Sequence, residues 1–126
     1  NTPNAEQLEN MKAVAENVFE KVRGHIGRPL EVNSFFRCPE LNKAVGGAKN
    51  SDHLRGKAID IDSKDNELNK KIFEYIRYHL NFDKLIYEFG NDKAPDCVHV
   101  SFSRGDNKKE VLRAEKINGV TVYRHI

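Results

Sequence analysis

Cysteine is scarce: only Cys38 and Cys97 occur, far apart in a chain of 126 residues. That spacing excludes a zinc-ribbon pattern and a Cys-x-x-Cys redox motif. One disulfide stays open for a protein working outside the cytoplasm, and two free, partly buried thiols are the other reading. An excess of either charge is also lacking. Lys and Arg total 21 and Asp and Glu total 19, leaving +2. Nucleic-acid binders carry a clearly basic footprint, so no nucleic-acid partner is expected. A mildly basic surface does suit an anionic polymer. No apolar run approaches the ~18 residues that span a bilayer, so no integral membrane segment is expected. Repeats, low-complexity tracts and linkers are absent, and the length is that of one ordinary domain. Residues 1–126 therefore read as a single domain, with a monomer as the expectation. The N-terminus shows no signal-peptide pattern. Because the chain begins at Asn1 rather than Met, this says little about export.

What is present is clear periodicity. Asn4 and Gln7 have capping-box spacing. Leu8, Met11, Val14, Val18, Val22 and Ile26 then recur every three or four residues, predicting one amphipathic helix that ends at Gly24, Gly27 and Pro29. Leu30 to Phe35 reads as a short strand and Pro39 to Val45 as a short helix stopped by Gly46-Gly47. In Lys57 to Asp62, Ile59 and Ile61 face one way while Ala58, Asp60 and Asp62 face the other. Asn66 to Leu80 is a second long helix, with Leu68, Ile72, Phe73 and Ile76 on its buried side. Lys84 to Phe89 and Val98 to Phe102 are strands. Asn118-Gly119 marks a hairpin turn between Val111-Leu112 and Val120 to Tyr123. The order predicts an α+β fold, with helices on one face of a largely antiparallel sheet.

Several polar residues fall where chemistry needs them. His53 and Asp60 flank Gly56. On one continuous strand they would face opposite sides, but a turn at Gly56 lets them converge. Imidazole nitrogen and carboxylate oxygen both suit zinc. In Cys97 to Phe102, Val98, Val100 and Phe102 form the core side and leave His99 on the open face. Two His and one carboxylate leave a fourth zinc position open, as in catalytic sites. Asp96 precedes His99 by three residues and is the candidate base, provided that the chain turns near Pro95. Glu88 on the neighbouring strand is the alternative base. Arg37, at a strand end, offers a guanidinium that grips carboxylates or polarises a carbonyl. Ser51 and Asp52 are placed to orient substrate or a ligand. Taken singly, each of these residues has an ordinary structural explanation: a partly exposed His, a solvated Asp, a surface Arg. His25, His79 and His125 carry no motif.

Together the segments form a pattern. Phe36-Arg37-Cys38-Pro39-Glu40-Leu41-Asn42-Lys43-Ala44-Val45-Gly46-Gly47 is followed by Ser51-x-His53-x-x-Gly56-x-Ala58-x-Asp60-Ile61 and then by Val98-His99-Val100-Ser101-Phe102. In that order they resemble the zinc D-Ala-D-Ala carboxypeptidase family, which shares the hedgehog/DD-peptidase fold and includes L-alanyl-D-glutamate endopeptidases of phage endolysins and D-Ala-D-Ala dipeptidases. The resemblance implies one zinc per chain held by His53, Asp60 and His99. It implies Arg37 and Ser51 as substrate-binding residues, and Asp96 as the acidic residue before the second His. It further implies a metallopeptidase cutting peptidoglycan stem peptides, at the cell wall or in the periplasm. Cys38, Asp52 and Cys97 depart from the family's usual Ser, Gln and aromatic residue, and a disulfide bracing the site is conceivable. The competing hypothesis is a zinc-braced binding module of the same fold, as in hedgehog-type domains, which binds wall or a protein partner without cutting.

Overall fold

A computed structural model describes all residues, Asn1–Ile126. Helix α1 (Ala5–Val14) starts at Asn4, whose side chain accepts the Gln7 N–H while Gln7 returns a bond to the Asn4 N–H. One π turn, Ala15–Phe19, joins α1 to α2 (Glu20–Ile26). The single periodic stripe in the sequence is thus a helix carrying a local bulge. Its apolar side still works: Val14, Val18 and Val22 are wholly buried, whereas Leu8 near the start is exposed. Gly27, at φ +78°, ends α2 in the left-handed region.

Six strands form one sheet: β1 (Glu31–Ser34), β2 (Ala58–Asp62), β3 (Lys84–Glu88), β4 (Cys97–Ser101), β5 (Glu110–Ile117) and β6 (Val120–His125). Their spatial order is β1-β2-β4-β3-β5-β6, antiparallel throughout except for the parallel pair β3 and β5. The two remaining helices are α3 (Pro39–Ala44) and α4 (Asn66–His79). Asp65 caps α4, its carboxylate accepting the Glu67 and Leu68 N–H groups. No helix is long and apolar enough to cross a membrane.

Alternation sorts the two faces of the sheet. Ile59, Ile61, Leu85, Tyr87, Val98 and Val100 point to the helices, where they pack with Val14, Val18, Val22, Ile72, Phe73 and Ile76. Burial of such side chains contributes roughly 1.5–3 kcal/mol each. The intervening positions, including Asp60, Ile86, Glu88 and His99, line a groove on the opposite face. The fold is therefore α+β as expected, and the positions that carry polar chemistry are those that alternation turns away from the core.

Candidate metal centre and catalytic groove

Two local devices bring His53 and Asp60 together. Ser51 Oγ accepts the His53 N–H at 3.2 Å and starts a tight 3-10 turn, Asp52–Arg55. Gly56 closes that turn at φ +72°. A Cβ there would also lie 2.6 Å from the Gln7 carbonyl oxygen and 2.8 Å from Met11 Cγ. Only glycine meets both conditions. The chain reverses there and enters β2, so that His53 comes back over the strand. Asp60 and His99 are direct cross-strand partners on β2 and β4.

The three side chains meet. His53 Nδ1–H donates to the Phe35 carbonyl at 2.6 Å. With Nδ1 so committed, the neutral ring presents a lone pair at Nε2. That atom is buried, has no hydrogen-bond partner, and lies 3.1 Å from Asp60 Oδ2. His99 Nδ1 lies 2.9 Å from Asp60 Oδ1. One ligand atom from each residue falls within 4.8 Å of the others, so the trio could hold a metal ion. The donor set fits a cation: a lone pair and a carboxylate oxygen facing each other without a proton between them repel unless positive charge intervenes. The backbone bond to Nδ1 is the usual way of orienting a metal-ligating imidazole.

The electrostatics agree. Burial alone would raise the Asp60 pKa, but the two imidazoles beside it, His53 and His99, hold it well below the ordinary carboxylate range. Burial alone would lower the His99 pKa, yet the hydrogen bond and charge of Asp60 raise it. A carboxylate kept ionised between two imidazoles is prepared to receive a cation.

A groove of ≈ 720 Å³ opens over the cluster. Arg37 enters it from beyond β1. Its backbone N–H donates to the His53 carbonyl at 3.0 Å, and Nη2 lies 3.4 Å from Ser51 Oγ. Its Nε is buried without a partner. Ser51 thus positions both His53 and Arg37. Asp52 instead pairs with Arg55.

Glu88 and Asp96 are placed very differently. Glu88, at the end of β3, pairs with Cys97 in register and lines the groove with the three clustered residues. Burial first, then the charge of Asp60, pushes its pKa up to about 7. The chain does bend at Asp96, the turn that the base role required. Its carboxylate, however, goes to the helix side, where Oδ1 accepts the Asn66 Nδ2–H at 3.0 Å at the start of α4. Asp96 is exposed and does not line the groove. Its backbone carbonyl is held by the wholly buried Asn69, which also donates to Asp62. Asp96 is thus built into the support of β4 rather than into the cluster.

Both thiols are free. Cys97 Sγ donates to the Ile61 carbonyl at 3.4 Å, while the Cys38 backbone N–H is taken by Asn1. Burial, then Glu88, pushes the Cys97 thiol well above its ordinary range. Sequence reasoning did not anticipate the far wall of the groove, which Leu112, Lys116, Thr121 and Tyr123 supply from β5 and β6. The only available signal was their alternation along the hairpin.

An α+β sheet with helices on one face and a His–Asp–His cluster on the other defines a fold that carries a candidate metal site. Within that class, the chain belongs to the Peptidase M15 family, whose model matches residues 2–101. Membership supports a metallopeptidase, as the resemblance of the motifs implied. No curated protein matches the chain.

Proposed function

We propose that the protein is a zinc peptidase that cleaves peptidoglycan stem peptides, of D-Ala-D-Ala carboxypeptidase or L-Ala-D-Glu endopeptidase type. The observation that carries the metal half of this reading is the partnerless, buried His53 Nε2 facing the Asp60 carboxylate beside His99. Family membership supports the peptidase half. His53, Asp60 and His99 would hold the ion, which when bound supplies Lewis acidity at the scissile carbonyl.

The chain's own groups supply the remaining chemistry. Glu88 is proposed as the base in preference to Asp96, because it lines the groove and its pKa near 7 suits both halves of a proton transfer. It accepts a proton from the attacking water and returns it to the leaving amine. Arg37, held by Ser51, donates hydrogen bonds to the substrate beside the cluster and counters negative charge developing on the carbonyl oxygen.

Elemental analysis of the purified protein tests the metal. About one zinc per chain is expected, and its loss in folded His53→Ala and His99→Ala variants. No retained metal after zinc is offered would sink the assignment. Incubation with purified cell wall tests the activity. Soluble peptide or free D-Ala supports cleavage, and mass spectrometry of the products identifies the bond. Tight binding without release would favour the zinc-braced binding module.

A further inference from the structure

The Peptidase M15 match ends at residue 101, and the β5–β6 hairpin lies wholly beyond it. The hairpin nonetheless walls the groove. Parallel pairing sets Ala114 of β5 beside Glu88 of β3, and antiparallel pairing sets Tyr123 of β6 beside Ala114. Glu88, Ala114 and Tyr123 thus form one row across three strands. Strands lie ~4.8 Å apart, so a tyrosine ring can lean over the small Ala114 towards Glu88. Ala114, Ile86 and Leu112 are buried together as an apolar floor on this face.

Tyr123 is 54% exposed, and its hydroxyl has no partner within the chain. Tyr87, by contrast, commits its hydroxyl to the Asn91 carbonyl. Partial burial, then the charges of Glu88 and Asp60, raise the Tyr123 pKa, so the phenol stays protonated and lies in the field of the site. Position along the sheet then gives it a side. Arg37 follows β1, the strand at one edge, and Tyr123 stands on β6, the strand at the other. Glu88, which hands the proton to the leaving amine, lies on the hairpin side of the His–Asp–His cluster.

We propose that Tyr123 binds the part of the substrate released by cleavage, its hydroxyl donating a hydrogen bond to a carbonyl or carboxylate oxygen there. The apolar floor beneath takes a small aliphatic side chain. This inference rests on the peptidase reading above. The probe is the stem pentapeptide L-Ala-γ-D-Glu-L-Lys-D-Ala-D-Ala, titrated calorimetrically into zinc-loaded Glu88→Gln protein, which holds it uncleaved. Adding Tyr123→Phe, which keeps the ring and removes only the hydroxyl, should raise Kd about 3- to 10-fold. The N-terminal product of cleavage, lacking the released part, should bind both proteins alike. Equal Kd for the pentapeptide, or an equal loss for the product, would overturn the role of Tyr123 and leave the peptidase reading standing. A pentapeptide that binds neither protein would overturn both.

Discussion

At the scale of single residues, the two candidate acids are separated by what surrounds them. Glu88 is half-buried in the groove, whereas Asp96 is exposed and bonded to Asn66. Glu88→Gln is therefore expected to retain zinc and lose about 100-fold or more in kcat, as general bases do. Asp96→Asn is expected to stay within a few-fold of wild type, because the amide can keep its contact with Asn66. Steady-state kinetics on the same peptide decide, and the reverse pattern would make Asp96 the base. Glu88 also predicts a pH dependence of stability in the metal-free protein. Its pKa is about 7 when folded, against an ordinary value of 4.5. The folded state therefore holds the extra proton between those values. Its contribution is full below about pH 4.5 and is lost as pH rises through about 7. His99, raised by Asp60, falls away in the same direction. Urea unfolding at about pH 5 and about pH 8 should show a smaller loss in Glu88→Gln than in wild type. An unchanged loss would place its origin elsewhere.

At the scale of elements, the decisive piece is the turn between Ser51 and β2. It converts a His and an Asp that a straight strand would set on opposite faces into neighbours. Gly56→Ala meets both left-handed strain, about 1–2 kcal/mol, and a collision with the Gln7 carbonyl. Stability should fall by at least that amount, and zinc affinity should fall with it, because His53 is carried on the same turn. Chemical denaturation and competitive zinc titration measure the two effects. A variant that loses stability but keeps full zinc affinity would show that the turn does not position His53. The elements themselves were largely legible. The capping box at Asn4, the strand from Ala58 and the left-handed pair Asn118 (φ 52°) and Gly119 (φ 77°) all depend on near neighbours in sequence. The π turn at Ala15–Phe19 was not legible, since one extra residue in a turn leaves the apolar stripe almost unchanged.

At the scale of the whole molecule, the candidate metal site ties β2 and β4 to the loop before β2, and zinc binding there should be felt globally. Zinc at about 1,000 times its Kd adds about 4 kcal/mol to stability. For a domain of this size that raises Tm by on the order of 10 °C or more. Calorimetric scans with and without zinc should show this rise in the wild type and none in His99→Ala. A rise that persists in His99→Ala would point to a different site.

The sequence alone determined which side chains form the cluster. Strand alternation put Asp60 and His99 on the face away from the core, and a glycine between His53 and Asp60 allowed them to converge. It also determined the α+β class, because helical and strand periodicities are local properties of the chain. Only the tertiary structure decided which acid lines the groove. Asp96 is nearer to His99 in sequence, but strand pairing, which local pattern does not encode, brings Glu88 into the groove and leaves Asp96 at the foot of α4. The far wall of the groove was decided in the same way. The parallel pairing of β3 with β5 follows a long connection, and that pairing carries Tyr123 to the site from the end of the chain.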